Sequence, residues 1–230
     1  MEFFIDGIIS ALHLIFSGDA ELLDIVGVSL FVSGFSTLTA CIFGVPTGFF
    51  LSMASFRGKH FVITILQTLL ALPTVVVGLF VYAFLTRKGL FGPFDLLYTK
   101  AAIIIGQTIL ILPVVIVFTL AAVSRAGRKY RKTAMTLGAN KVQAALVIFR
   151  EVRFGILAAV IAAFGRVIAE VGISMMLGGN INGFTRTMTT AMALEYDKGQ
   201  FVLAIALGIV LLAIAFSVNF MLRFFQGREG

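Results

Sequence analysis

The sequence has little charge, a single cysteine and no tryptophan, and these shortages exclude several classes of protein. Only 13% of its 230 residues are charged, whereas 60% are hydrophobic, and the mean hydropathy is +1.06. A soluble domain of this length needs far more polar surface. The lone Cys41 excludes a disulfide within one chain and any CxxC redox or zinc motif. We therefore expect a polytopic helical membrane protein.

Motifs for catalysis and for cofactor binding are also missing. The Gly58-Lys59 pair lacks the upstream glycine and the following Ser or Thr of a phosphate-binding loop. His13 and His60 stand alone, without metal-ligand spacing. A membrane-embedded enzyme would need His, Ser or paired carboxylates at one depth, and Glu170 is the only carboxylate deep in an apolar run. The sequence thus predicts no catalytic residue, no metal site and no cofactor bound by this chain.

Five apolar runs are long enough to cross the hydrocarbon core, which requires about 20 residues. They cover residues 25–53, 61–85, 101–123, 155–177 and 201–222. The predicted fold class is therefore all-α, a polytopic membrane protein with about five transmembrane helices. Residues 1–24 hold only short apolar stretches and are expected to form an interfacial amphipathic segment. Residues 25–222 are expected to form one transmembrane domain, followed by a cytoplasmic tail at residues 223–230.

A few small or polar residues interrupt the apolar spans. Gly44 and Gly48 have the spacing that lets two helices approach closely, and Pro46 between them should kink the helix. Gln107 and Thr74 are polar side chains inside apolar runs, where hydrogen bonding between helices is the simplest account.

The positive charge, which is +7 overall, lies in short connections between the apolar runs. That distribution is typical of the signal that orients membrane proteins, and it argues against a nucleic-acid-binding surface. With five crossings, 12 of the 18 Lys and Arg residues fall on one side and five on the other, with Arg166 inside a span. Because the cation-rich side is cytoplasmic, the N-terminus is expected outside and the C-terminus in the cytoplasm.

Eight of the 18 cations lie in one stretch, residues 125–153, which we call the basic segment. Helix-forming residues occupy 128–137, Gly138 is a natural left-handed helix end, and Asn140 can cap a second helix over residues 141–151. The small Ala134 and Gly138 should leave a face that another protein can approach. From the residues alone, docking to a protein and contact with anionic lipid remain equal alternatives.

The basic segment also resembles a motif of bacterial ABC-transporter permeases, in which Glu-Ala-Ala precedes a glycine and a later Ile-x-Leu-Pro. Lys132-Thr133-Ala134, Gly138 and Ile148 fall at the corresponding places, but Lys132 replaces the acidic residue and Arg150-Glu151 replace Leu-Pro. Two further stretches are similar to molybdate and tungstate permeases, residues 72–79 (LPTVVVGL) and residues 165–181 (GRVIAEVGISMMLGGNI). The form of the motif is most similar to the tungstate branch.

The resemblance implies a type I permease fold and an ATP-driven importer of a tetrahedral oxyanion, tungstate first and molybdate or sulfate as alternatives. It also implies a homodimer in a bacterial or archaeal plasma membrane, two copies of an ABC ATPase that use ATP and Mg, and an extracytoplasmic oxyanion-binding protein. The residues it assigns to ATPase coupling are Lys132, Thr133, Ala134, Gly138, Ala139, Ile148, Arg150 and Glu151. An ATP-independent channel or secondary transporter is the less favoured alternative, because internal repeats, which such proteins often carry, are not apparent.

A second group of residues is a candidate for the translocation path or its gate. Arg166 and Glu170 have the i,i+4 spacing of a helical ion pair, which would lock the fourth span, or they line the oxyanion path. Gly178, Gly179 and Asn180 follow that span, and their amides, with nearby threonine hydroxyls, could bind an oxyanion or simply end the helix. Thr74 is the remaining candidate for the path.

Overall fold

The computed structural model describes the backbone of residues 2–226 and the side chains of residues 7–125, 127, 130 and 132–220. This part of the chain contains ten α-helices, one short 3-10 turn at Gly92–Phe94 and no strand. The α-helices are α1 (Glu2–Phe16), α2 (Ala20–Met53), α3 (Lys59–Leu69), α4 (Thr74–Leu85), α5 (Lys100–Thr136), α6 (Lys141–Glu151), α7 (Arg153–Ile168), α8 (Gly172–Gly178), α9 (Met188–Asp197) and α10 (Phe201–Gln226).

Three stretches of these helices are long and apolar enough to cross a membrane: α2, the first 26 residues of α5, and α10. Two further spans result if each bent pair, α3 with α4 and α7 with α8, counts as one crossing. The all-α fold is therefore confirmed, and the described residues hold three to five stretches that are long and apolar enough to cross a membrane. The last four residues of the predicted tail lie outside the described residues, and α10 continues to Gln226.

The longest helix pair, α2 and α5, is held at close distance by glycines. A Cβ atom at Gly44 would lie 2.9 Å from Val115, and one at Gly48 would lie 2.5 Å from the carbonyl oxygen of Ile116. Both distances are too short for a side chain, so only glycine permits this approach. The predicted packing role of Gly44 and Gly48 is confirmed, and α2 passes through Pro46 as one helix.

Two of the predicted continuous spans are broken, which corrects the sequence-based expectation. The second span divides into α3 and α4, which meet at an angle of 99° across residues 70–73, with Pro73 directly before α4. The fourth span divides into α7 and α8, which meet at 60° across residues 169–171. The short α8 is packed tightly, since a Cβ at Gly106 of α5 would lie 2.5 Å from Leu177.

The remaining differences concern where helices begin and end. α5 runs without interruption from the third span to Thr136, so residues 128–137 are its extension and not a separate helix. α2 begins at Ala20, before the predicted start at residue 25. α1 packs against α10, where Ala11 is fully buried beside Leu207. Residues 178–200, which connect the last two predicted spans, contain an additional helix, α9.

Candidate functional site

The turn of the basic segment forms as its local sequence predicts. Gly138 ends α5 with a left-handed backbone, φ +84°. The amide of Gly138 donates to the carbonyl of Met135 and the amide of Ala139 donates to that of Ala134, which is the hydrogen-bond pattern of a Schellman motif. Asn140 then caps α6 in a capping box with Gln143, at 2.9 Å in both directions.

One face of α6 packs on the rest of the chain. Ile148 is fully buried in a cluster with Val123 of α5 and Val152 and Ile156 at the start of α7. Tyr130 on the α5 extension lies beside Glu151 at the end of α6. The negative charge of Glu151, and a hydrogen bond to its carboxylate, raise the pKa of the Tyr130 hydroxyl. These contacts fix α6 against the ends of the two spans that it joins.

The opposite face of α6 and the turn before it expose apolar side chains. Leu137 is 83% exposed, Val142 68%, Leu146 58% and Phe149 45%. The positions 142, 146 and 149 have the i, i+4, i+7 spacing of one helix face, so a spacing signal for this surface was present in the sequence. They lie outside the long apolar spans. The ring of Phe149 touches that of Phe49 on α2 edge-on, with 6.0 Å between the ring centroids, whereas most of the surface of Leu137, Val142 and Leu146 is exposed. We call Leu137, Val142, Leu146 and Phe149 the α6 face.

The predicted coupling residues divide between exposed and buried positions. Lys132, Thr133, Gly138, Arg150 and Glu151 are exposed, and Ala139 is half-buried. Ala134 is 7% exposed and Ile148 is fully buried. The expected close-approach face therefore does not include Ala134, because this side chain packs inside the chain.

Two of the candidate path residues meet where the two broken spans touch. A Cβ atom at Gly172, the first residue of α8, would lie 3.3 Å from Oγ1 of Thr74, the first residue of α4, and 3.3 Å from Oε1 of Glu170. Glu170 is buried, and its Oε1 accepts a hydrogen bond from the amide of Ile173 at 3.1 Å. The structure therefore brings Thr74 and Glu170 together at one junction.

The predicted ion pair between Arg166 and Glu170 does not form. α7 ends at Ile168, so Glu170 leaves the helix before the i,i+4 geometry is complete. Among the side chains that the structure describes, Arg166 has no ion-pair partner, and its Nε is buried without a hydrogen bond. The interpretation as a structural ion pair is thus wrong for this conformation.

The loop between α8 and α9 uses its polar groups internally. Thr185 donates to the carbonyl of Gly178 at 2.6 Å, and Thr189 donates to the carbonyl of Glu170 at 2.8 Å. Asn180 turns its amide nitrogen towards the carbonyl of Thr190 at 3.4 Å, and Gly179 has a left-handed backbone. These hydroxyl and amide donors therefore bond to main-chain carbonyls, and among the described residues the buried Oδ1 of Asn180 has no hydrogen-bond partner.

The side chains of Gln107 and Arg186 connect elements that are distant in the sequence. Gln107 of α5 accepts a hydrogen bond from Ser36 of α2 at 2.9 Å and donates to Ser174 of α8 at 3.3 Å, which confirms the predicted interhelical role of Gln107. Arg186, which the sequence reasoning did not single out, reaches Glu21 at the start of α2 at 3.4 Å. A pairing across 165 residues leaves no local sequence signal.

Comparison with known proteins places these features in a family. Residues 44–229 match the family model described as "Binding-protein-dependent transport system inner membrane component". The chain is 38% identical over 219 residues to the tungstate uptake system permease protein TupB of Peptoclostridium acidaminophilum, which covers 95% of this chain and 96% of that protein. It is 40% identical over 212 residues to a probable anion ABC transporter permease protein of Haloferax volcanii, with 90% and 91% covered.

More distant relatives, at 28% and 25% identity, are a probable molybdenum ABC transporter permease protein of Haloferax volcanii and the sulfate transport system permease protein CysT of Salmonella typhimurium. Among solved structures, an inward-facing conformation of the MetNI methionine ABC transporter superposes with a TM-score of 0.69. The match covers 89% of this chain and 94% of that chain at 16% sequence identity, so it shows the type I permease fold and nothing about the substrate.

Proposed function

We propose, from the fact that this chain belongs to the family of binding-protein-dependent transport system inner membrane components, that it is the permease subunit of an ATP-driven oxyanion importer. Tungstate is the first choice of substrate. The observation that carries this choice is the higher identity, over nearly the whole of both chains, to a tungstate uptake permease than to molybdenum or sulfate permeases. Molybdate and sulfate are the second candidates, since all three ions are tetrahedral dianions.

The proposed assembly is a homodimer of this chain with two copies of an ABC ATPase and an extracytoplasmic oxyanion-binding protein. The ATPase would use ATP and Mg, because the sequence of this chain has no phosphate-binding loop. The exposed α6 face supports ATPase docking, since contiguous apolar surface outside a membrane span is usually covered by a protein partner.

The proposed coupling residues are those of the basic segment, with the α6 face added. The exposed Lys132, Thr133, Gly138, Arg150 and Glu151, with the half-buried Ala139, would contact the ATPase. Ala134 and Ile148 would act indirectly, because their burial fixes the position of the turn and of α6.

The proposed gate is the junction at which the two broken spans meet. Thr74, Arg166 and Glu170 would control passage there, and Gly178, Gly179 and Asn180 would hold the loop that leads to α9. Because the hydroxyl donors of this loop bond to carbonyl oxygens, we assign it a supporting role and not direct contact with the ion.

A reconstituted complex tests the transport proposal. This chain would be produced with its proposed ATPase and binding-protein partners, purified and placed in proteoliposomes with internal ATP. Uptake of tungstate should require the binding protein and a hydrolysis-competent ATPase, and should exceed uptake of molybdate and sulfate at equal concentration. Tungstate uptake without any ATPase would favour an ATP-independent channel or secondary transporter instead.

A variant of the α6 face tests the docking proposal. Leu146→Glu places a charge in the centre of the apolar face, where burial of a carboxylate against a partner is costly. The variant should lose most of the ATPase that copurifies with the wild-type chain. Leu90→Glu, the same change at an exposed leucine between α4 and α5, is the matched control and should retain the ATPase. Equal ATPase retention by both variants would contradict docking on this face.

A further inference from the structure

The two helix breaks have different physical causes. The break between α3 and α4 contains Pro73, which has an extended backbone (ψ 129°) and no amide hydrogen, so the chain cannot form one continuous helix there. The break between α7 and α8, residues 169–171, contains neither Pro nor Gly. Ala169 (φ −90°, ψ 3°) and Val171 (φ −106°, ψ −51°) stay close to the right-handed helical region. The second bend is therefore held by hydrogen bonds, one local and one to another helix, and not by proline.

Glu170 makes two of the contacts that hold this bend. Its carboxylate accepts from the amide of Ile173 and so satisfies one of the free N–H groups at the start of α8. Its main-chain carbonyl accepts from the hydroxyl of Thr189 in the first turn of α9. The Glu170 side chain is only 7% exposed, so these bonds are shielded from water.

Among the described side chains, none forms an ion pair with Arg166 in this bent form. Its Nε is buried and makes no hydrogen bond. If α7 continued as a helix through residues 169–171, residues 166 and 170 would lie on one face at i,i+4 spacing, at which opposite charges attract. A guanidinium in a membrane span is costly unless it is paired or reaches water. The partner that Arg166 lacks in the bent form would thus become available in a straight form.

We propose that Glu170 is a positioning residue that exchanges partners during transport: it caps α8 in the bent state and pairs with Arg166 in a straighter state. The exchange would move α8 relative to α7. α4 would move with α8, because the two helices touch closely at Gly78, where a Cβ would lie 3.0 Å from Met176. This inference rests on the proposed function, since an importer needs two discrete arrangements of its spans.

A double-mutant cycle in the reconstituted complex tests the exchange. Glu170→Gln keeps an acceptor oxygen for the Ile173 amide but removes the charge, and Arg166→Gln removes the opposite charge. Each single variant should lower tungstate uptake at least about fivefold, the lower end of typical coupling between sites. The double variant should be no worse than the single ones, because neither charge is then left without its partner.

The control cycle pairs Arg166→Gln with Glu195→Gln. Glu195 is a buried carboxylate of α9 that binds Lys198 at 2.9 Å and has no proposed link to Arg166. The effects of these two changes should multiply. Multiplied losses for Arg166 and Glu170 as well, or full activity of either single variant, would overturn the exchange. Wild-type complexes that fail to take up tungstate would instead count against the proposed function.

A structural measurement keeps the inference testable if the variants assemble poorly. Structures of the wild-type complex would be determined without nucleotide and with ATP trapped by a hydrolysis-deficient ATPase. The exchange requires the Arg166 guanidinium and Glu170 carboxylate to be within about 4 Å in one of the two states. Glu170 capping α8 in both states, with Arg166 unpaired in both, would overturn it.

Discussion

Gln107 shows how one polar side chain can join three helices inside a hydrophobic protein. It is almost fully buried on α5 and bonds to Ser36 of α2 and to Ser174 of α8. Gln107→Leu keeps the approximate volume but leaves both hydroxyls without this partner. We expect the free energy of unfolding to fall by about 1 kcal/mol, which is the usual net contribution of such a hydrogen bond in soluble and membrane proteins.

The lower stability of Gln107→Leu should appear as a lower temperature at which the detergent-purified fluorescent fusion loses its monodisperse peak in size exclusion. Thr47→Val is the control, because Thr47 is exposed on α2 and bonds only to the carbonyl of Phe43 in its own helix. If both variants lost the monodisperse peak at the same temperature, the role of Gln107 in joining helices would be contradicted.

At single residues, the sequence predicts best where the chemistry leaves one outcome. A lone amide in an apolar run must find a partner, and Gln107 does. A cluster of threonines could either bind a ligand or form hydrogen bonds within the protein. Which of the two occurs depends on distant carbonyls, such as that of Glu170, which accepts from Thr189. The predicted ion pair between Arg166 and Glu170 was wrong because i,i+4 geometry applies only within a continuous helix, and α7 ends at Ile168.

At the scale of elements, the contact between α2 and α5 depends on Gly48. A Cβ there would lie 2.5 Å from the main-chain oxygen of Ile116, and a backbone atom cannot move aside as a flexible side chain can. Gly48→Ala should therefore separate the two helices and destabilise the protein by about 1 to 3 kcal/mol, as overpacking does elsewhere. The measurement is the yield and heat resistance of the monodisperse fusion.

The matched control for Gly48 lies in the same helix. A Cβ at Gly27 would meet nothing within 4 Å, and alanine favours helix over glycine. Gly27→Ala should therefore be neutral or slightly stabilising. If Gly27→Ala and Gly48→Ala behave alike, close approach of α2 and α5 does not explain the requirement for glycine.

Helix ends with local causes could be predicted, whereas those with distant causes could not. The turn between α5 and α6 follows from Gly138 and Asn140, which act within five residues. The start of α9 also had a local signal, the capping box of Thr187 and Thr190, but the surrounding polar residues suggested a loop. The bend between α7 and α8 combines a local bond, from the Ile173 amide to the Glu170 carboxylate, with a bond from Thr189 of α9, and the second of these has no signal in the sequence of the fourth span.

At the scale of the whole molecule, the charge distribution predicts one orientation that labelling can test. The basic segment carries eight of the 18 cations, whereas the connection between α4 and α5 has only Arg87 and Lys88 before Lys100 begins α5. Positive connections remain in the cytoplasm, so the basic segment should be inside and residues 86–99 outside. The single native cysteine makes the test simple, because Cys41→Ala leaves a background without thiols.

In that background, Leu90→Cys and Thr136→Cys place one thiol at an exposed position in each region. A membrane-impermeant maleimide should label Cys at position 90 in intact cells or spheroplasts, since nothing separates it from the outside. The same reagent should label position 136 only after the membrane is permeabilised. The reverse pattern would place the basic segment outside, beyond the reach of a cytoplasmic ATPase, and would contradict both the orientation and the proposed coupling through the α6 face.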